Sequence, residues 1–294
     1  MTDYTIFTDA AADLPLEWYS RHKIQGVPME YTLSGQTHTI LPGEVEKDKI
    51  CDGFYDTLRR GETTSTTQAT PYKYIEAFSP ALEAGNDILY CSFSSGMSGT
   101  WHNALLASEM LKEQYPERTI RCVDTLSSSA GQGLMVLQAA MLKEQGKTLE
   151  ENAVWLEEHR QAMNHWFLVD DLDFLKRGGR VSPTAAFLGG KLQIKPILTI
   201  APDGQLVIAE KVRGRRQSME RLAAIFRIGN DFQSVPPVVF INYAGCREDG
   251  ELLANLVRET APPNVQVFVT PLSPFIGAHT GPDMLSVCFW GKRR

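Results

Sequence analysis

Apolar runs alternate with amphipathic stretches along the first half of the chain. Short runs rich in β-branched and aromatic residues are typical of buried strands, and stretches with apolar residues three and four positions apart are typical of helices. The predicted strands cover residues 4–8, 87–93 and 119–123, and the predicted helices cover residues 46–59, 71–84 and 98–112. This alternation indicates βαβ units and a mostly parallel sheet.

The pattern changes in the second half, where two strand-like runs flank Pro202-Asp203-Gly204, a sequence typical of a hairpin turn. Further helices are predicted at residues 134–143, 148–165, 218–228 and 248–258, and further strands at residues 195–200, 205–212, 238–243 and 265–271. We therefore expect an α/β protein of two domains, joined near the helix at 148–165. Residues 1–160 would hold the parallel sheet, and residues 161–294 a mixed sheet.

Composition narrows the function classes. The 294 residues carry a formal net charge of −6, and 43% of them are hydrophobic. This net acidic charge argues against a general nucleic-acid binder, because such proteins carry a basic face that neutralises phosphates. No apolar run is long enough to span a bilayer, and the N-terminal residues do not resemble a signal peptide, so we expect a cytoplasmic protein without an integral membrane segment. The six histidines and five cysteines show no metal-ligand spacing, and we predict no metal or cofactor.

Two short segments combine glycine with hydroxyl and imidazole groups. Residues 93–100 include Ser94-Ser95-Gly96, and residues 276–282 include His279-Thr280-Gly281. Small residues allow close approach to a ligand, and hydroxyl and imidazole groups donate hydrogen bonds to an oxyanion. Because each segment borders an apolar stretch, we expect a ligand with an acidic head and a hydrocarbon body.

Familiar enzyme motifs are incomplete in this chain. Thr100 stands where a nucleophile elbow needs glycine, and Met141 stands where a P-loop needs glycine. The third glycine of a dinucleotide fingerprint is missing after Gly133. A serine-type lipid or ester hydrolase that uses Ser95 and His279 remains an alternative, and so does a lipid-responsive regulatory protein.

Several motifs together resemble the DegV family. They occur in that family's order across essentially the whole chain, from Thr8-Asp9 through Lys176-Arg177-Gly178-Gly179-Arg180 to the segment around His279, at residues 8–14, 66–71, 94–104, 169–182, 195–198 and 277–282. The resemblance implies a two-domain α/β protein that holds a long-chain fatty acid. It also implies a carrier, not an enzyme in its own right, that presents the carboxylate to a separate ATP-binding fatty acid kinase subunit for acyl-phosphate formation in phospholipid metabolism.

Carried over to this sequence, the resemblance implies that Thr66, Ser95 and His279 surround the carboxylate, with Ser94, Thr67 and Thr280 as neighbours. The residues expected to line the tail are Phe93, Phe187, Leu188, Ile194, Phe275 and Ile276. The sequence departs from the family pattern at Ala10, Ala69 and Asp283, and the acidic Asp283 would disfavour a nearby anion.

Residues 176–216 are basic, with nine basic side chains against two acidic ones. Such a patch attracts an acidic partner or a phosphate group. We predict that the kinase subunit docks on Arg177, Arg180, Arg213 and Arg216. In the alternative interpretation, Asp170, Asp171 and Asp173 brace the segment around these arginines, and the patch is a solvated face.

Overall fold

The structure is a computed structural model that describes residues 3–43, 47–170, 172–182 and 193–293. Its strands are β1 (Tyr4–Asp9), β2 (Gln25–Val27), β3 (Met29–Leu33), β4 (Gln36–Ile40), β5 (Thr64–Thr67), β6 (Asp87–Ser92), β7 (Ile120–Asp124), β8 (Met163–Leu168), β9 (Ile194–Ile200), β10 (Leu206–Arg213), β11 (Val238–Tyr243), β12 (Gln266–Pro271) and β13 (Leu285–Trp290). Its helices are α1 (Leu16–Arg21), α2 (Lys47–Arg59), α3 (Pro71–Glu83), α4 (Thr100–Gln114), α5 (Ser129–Glu144), α6 (Leu149–His159), α7 (Asp173–Arg177), α8 (Arg215–Gly229), α9 (Arg247–Arg258) and α10 (Pro274–Thr280).

The first sheet is parallel, as predicted, with the strand order β2-β1-β6-β7. α3 and α4 cover one of its faces, and α5 and α6 cover the other. The apolar spacing of these helices explains the prediction, since each presents one stripe to the sheet.

The second sheet is mixed, as predicted, with the order β10-β9-β8-β13-β11-β12. β11 and β12 are parallel, and the other pairs are antiparallel. α8 and α9 pack on one face, and α5 packs on β8, β11 and β13. Thirteen of the sixteen residues of α5 are buried because this helix lies between the two sheets. The boundary near residue 160, which falls just before β8, stays a prediction.

A third sheet, antiparallel with the order β4-β3-β5, was not predicted. β5 reads Thr64-Ser65-Thr66-Thr67 and has no apolar alternation, so its sequence gives no strand signal. Its contacts with β3 and α10 hold β5 in the sheet. In the described ranges, no helix combines the length and the apolarity needed to cross a membrane.

One further prediction was wrong. The helix predicted at 148–165 begins with the capping box of Thr148 and Glu151 but ends at His159, and His165 lies in β8. Pairing of β8 with β13 and β9 in the core overrides the helical spacing.

The segment around His279 forms the helix α10, which was not predicted from the sequence. Its small residues serve packing: a β-carbon at Gly277 would stand 2.3 Å from the Tyr55 hydroxyl oxygen.

Candidate functional site

An apolar cavity of about 190 Å³ lies where α10, β5, β8 and the loop after β6 meet. Its wall includes Phe93, Phe167, Leu175, Phe275 and Ile276. The rings of Phe93 and Phe275 meet edge to face with their centroids 6.4 Å apart. A wall of this kind favours a ligand with a hydrocarbon body.

Thr66 and His279 form a polar part of this wall. Thr66 Oγ1 lies 2.7 Å from His279 Nε2 and joins β5 to α10. His279 Nδ1 is buried and has no hydrogen-bond partner among the described residues. Because an orphaned lone pair costs less than an orphaned N–H, we assign the ring proton to Nε2. The imidazole then donates to Thr66 Oγ1, and the Thr66 hydroxyl is left to donate to a ligand.

Burial, and after it the charge of Arg180, lower the pKa of His279 to about 4. The imidazole is therefore neutral at neutral pH, and it contributes a hydrogen bond without a positive charge.

Arg180 brings the positive charge to the site. Its guanidinium donates from Nε to the Met97 carbonyl oxygen at 3.2 Å and also contacts the Gly178 carbonyl oxygen. Burial lowers the pKa of Arg180, and among the described residues no carboxylate pairs with it. A half-buried cation of this kind favours an anionic ligand.

A second pocket, of about 280 Å³, shares Thr66, Arg180 and His279 with the apolar cavity. The rest of its wall is rich in hydroxyl groups and includes Arg177. The Thr66–His279 pair thus stands between an apolar space and a polar, basic one. This arrangement suits an amphipathic anion whose head group lies at the pair.

The loop after β6 carries the serines that the sequence singled out. Ser94 is fully buried, and its hydroxyl donates to the Gly204 carbonyl oxygen at 2.8 Å in the β9–β10 hairpin. The backbone N–H of Ser95 donates to Asp124 Oδ1 at 3.2 Å, and Ser95 is not among the residues that line the cavity. Ser98, in the same loop, does line the cavity.

Asp9 holds this loop in place and was missed by sequence reasoning. Its carboxyl group is fully buried and accepts four hydrogen bonds, each at 3.1 Å, from Ala11 N, Phe93 N, Tyr90 Oη and Gln132 Nε2. Burial raises its pKa, and the donors oppose that shift. The end of β1 is thereby tied to the first residue of the loop.

The remaining site predictions fall in different places. Thr280 lines the cavity, whereas Thr67 is exposed on β5 and Ile194 begins β9; neither Thr67 nor Ile194 lines the cavity. Phe187 and Leu188 lie outside the described residues. Within those residues, no cluster of three or more histidine, cysteine or acidic side chains is arranged to hold a metal ion.

The four predicted docking arginines have different environments. Arg180 is half-buried in the site, and Arg177 is exposed with its guanidinium 4.4 Å from the centre of the Phe174 ring. Arg213 is exposed at the end of β10, and Arg216 is exposed at the start of α8, where it pairs with Glu220 at 3.1 Å.

Asp170 does not brace the segment that the alternative interpretation named. Asp170 Oδ1 pairs at 2.9 Å with both Lys195 and Arg215, and not with the segment around Arg177. Asp173 begins α7, and Asp171 lies outside the described residues.

The three departures from the family pattern have local explanations. Ala10 and Ala69 are both buried. Ala10 lies in a 3₁₀ turn, and the Ala69 carbonyl oxygen accepts from Asn103 at 2.8 Å. Asp283 accepts from Arg59 at 2.6 Å, so its charge is paired.

The hydrolase alternative needs a serine on His279 and a carboxylate that orients the ring. In the described residues Nε2 bonds Thr66 and Nδ1 bonds no carboxylate. The geometry does not support a triad of Ser95 and His279.

Fold and site together define a class: an α/β protein of two central sheets with an apolar cavity beside a basic pocket. A sequence model of a protein family, described as "Uncharacterised protein, DegV family", matches residues 3–292. The chain belongs to that family. It is 37% identical over 298 residues to a DegV domain-containing protein of Clostridium perfringens, covering 100% of this chain and 99% of the relative.

Solved structures agree with this assignment. A DegV family protein from Thermus thermophilus, described with its fatty acid binding, is 31% identical, with a TM-score of 0.83, and 99% of this chain and 100% of that chain are covered. DegV from Bacillus subtilis, described as a fatty acid binding protein, is 25% identical at the same coverage and TM-score.

Proposed function

We propose that this protein binds one long-chain fatty acid, with the hydrocarbon tail in the apolar cavity and the carboxylate at the Thr66–His279 pair. The observation that carries the proposal is the position of this pair on the wall that the cavity shares with the basic pocket. The fatty acids described for the relatives from Thermus thermophilus and Bacillus subtilis support the same ligand class.

The carboxylate needs donors, because an anion withdrawn from water is costly to bury without them. The Thr66 hydroxyl donates to one carboxylate oxygen, and His279 orients that hydroxyl through Nε2–H. Arg180 supplies the counter-charge that the neutral imidazole lacks. Ser95 remains a proposed contact of the carboxylate, and Ser98 is the serine of the same loop that lines the cavity.

The tail supplies most of the affinity. Burial of about fifteen methylene groups at about 0.8 kcal/mol each is worth roughly 12 kcal/mol before the cost of ordering the chain. That gross figure exceeds what the head group contributes, since a hydrogen bond to a charged group is worth about 1.5–3 kcal/mol. Loss of a head-group contact therefore weakens binding without abolishing it.

The proposed partner is an ATP-binding fatty acid kinase subunit. A carboxylate oxygen of the bound fatty acid attacks the terminal phosphorus of ATP on that subunit, the bond to ADP breaks, and acyl phosphate and ADP result. Arg177 and the hydroxyl groups of the basic pocket offer donors on the side from which the phosphoryl group arrives. In this reaction the protein carries and presents its ligand, and the partner supplies the catalysis.

The test is to purify the protein from a bacterial host, denature it and identify the released lipid by mass spectrometry. About one fatty acid per chain is expected. Thr66→Val removes the donor at constant shape and should weaken fatty-acid binding roughly tenfold. Thr67→Val, at the exposed neighbouring position of the same strand, is the matched control and should bind as the wild type does. Well-folded protein that neither carries nor takes up fatty acid refutes the proposal.

A further inference from the structure

Ser128 and His165 place a second polar group on the wall of the apolar cavity. They are 6% and 2% exposed, and they come from elements other than those that carry Thr66 and His279. Ser128 precedes the first residue of α5, and His165 lies in β8, onto which α5 packs. On β8, His165 lies two residues before Phe167, away from the end of the strand that leads to α7.

The hydrogen bond that joins Ser128 to His165 is long. Ser128 Oγ lies 3.4 Å from His165 Nδ1, longer than the usual 2.7–3.2 Å for a hydrogen bond to nitrogen. Ser128 precedes a helix, but its side chain makes no capping hydrogen bond there. A hydroxyl has one proton and two lone pairs, so Ser128 retains hydrogen-bonding capacity toward the cavity.

An unsubstituted alkyl chain offers the Ser128 hydroxyl no hydrogen bond, and burial of a polar group against hydrocarbon carries a cost. A hydroxyl on the chain both donates and accepts, and it removes this cost. We propose that the cavity accepts fatty acids that carry a hydroxyl group on the chain, at a position remote from the carboxylate, and that Ser128, beside His165, binds that hydroxyl. This inference rests on the proposed binding of a fatty acid and names the class of chain.

The experiment compares the affinities of stearic acid and a mid-chain hydroxystearic acid series for the purified, delipidated full chain. The ratio of the two dissociation constants is the readout, because it cancels effects on the fold and on the head group. Wild-type protein should bind at least one hydroxy acid of the series as tightly as stearic acid. Ser128→Ala should shift the ratio against that hydroxy acid by about five- to tenfold, as expected for one hydrogen bond.

Ser127→Ala is the matched control. Ser127 is fully buried beside Ser128 but does not line the cavity, so this variant should keep the wild-type ratio within about twofold. A ratio unchanged in Ser128→Ala, or hydroxy acids that all bind wild type more weakly than stearic acid, overturns the inference alone. Failure of wild type to bind any of these acids overturns the proposed function as well.

Discussion

Gly178 lies directly against His279: a β-carbon at position 178 would stand 2.4 Å from Nδ1 of the imidazole. Gly178 has φ −73°, which any residue adopts, so the contact and not the backbone conformation requires glycine. The ring keeps its distance to Thr66 only while residue 178 has no side chain.

We expect Gly178→Ala to displace the imidazole and to weaken fatty-acid binding roughly tenfold, measured by displacement of a fluorescent fatty acid. Gly53→Ala is the control, because Gly53 lies inside α2 with open space at the β-carbon position. It should leave affinity unchanged and raise the free energy of unfolding by about 0.5–1 kcal/mol. Wild-type affinity in Gly178→Ala would show that the ring position does not matter for binding.

The low pKa of His279 predicts a loss of stability in acid. The unfolded chain takes up a proton on this ring near pH 6.5, and the folded chain only near pH 4. The free energy of unfolding of the lipid-free protein should therefore fall as the pH falls through this window, by roughly 2–3 kcal/mol between about pH 7 and about pH 4.5. Denaturant titrations of wild type and His279→Gln isolate this contribution, since the variant lacks it and shares the other groups.

Fatty-acid binding should raise the pKa of His279, because a nearby carboxylate favours the imidazolium form. A fatty acid methyl ester carries no charge and should not produce that rise. Ring-proton NMR shifts followed against pH, with each ligand at saturation, measure the difference. Equal pKa values with the acid and the ester would place the carboxylate away from this ring.

Asp9→Asn tests the carboxyl group that ties β1 to the loop after β6. An amide presents one oxygen and two protons, so at least one of the four donors around Asp9 loses its acceptor. Each buried donor left unpaired costs about 1–3 kcal/mol, and the free energy of unfolding should drop by that amount or more. Asp3→Asn is the surface control: it removes the exposed pair of Asp3 with Lys143 and should cost less than about 1 kcal/mol.

Arg213→Glu combined with Arg216→Glu tests partner docking, since neither arginine lines the cavity. Acyl-phosphate formation with a fatty acid kinase subunit should fall roughly tenfold at low salt, while fatty-acid affinity stays unchanged. High salt should slow the wild type in the same way, because the Debye length shrinks to about 3 Å at 1 M.

Arg227→Glu reverses a charge on the same helix as Arg216, eleven residues and about 16 Å further along α8. It should leave acyl-phosphate formation unchanged. If it slows the reaction as much as the double variant, net charge and not a docking face is responsible. If the double variant loses fatty acid or unfolds, these arginines stabilise the fold.

Sequence patterns predicted the amphipathic helices and the strands that are continuous apolar runs. The helices α3 and α9 and the strands β1 and β11 have predicted bounds within two residues of those observed. The antiparallel sheet was missed because β5 is polar throughout and owes its place to β3 and α10. The end of α6 was missed because the partners of β8 lie far along the chain, in β9 and β13, and no local pattern reports them.

The family resemblance singled out Thr66 and His279, which the structure brings together, although nothing in their sequence spacing predicts that contact. It did not single out Ser128 or His165, because polar residues on a cavity wall have the same local pattern as polar residues in a core. Arg180 was expected at a partner surface, and it lies half-buried beside the Thr66–His279 pair. The contact of Gly178 with His279 fixes the position of the imidazole beside Thr66. It joins residues that are far apart in the sequence, so no local pattern predicts it.

The hydrogen bond from Ser94 to the Gly204 carbonyl oxygen ties the loop after β6 to the tip of the β9–β10 hairpin, so the length of the hairpin affects the position of that loop. The tip approaches so closely that a β-carbon at Gly96 would stand 2.5 Å from the Gly204 carbonyl carbon. One more residue in each strand would advance the tip by about 3.3 Å, into the space that the loop now occupies. The number of residues in the hairpin therefore sets the position of the loop after β6. A chain with a longer hairpin would keep every side chain of the site and lose the loop geometry that brings them together.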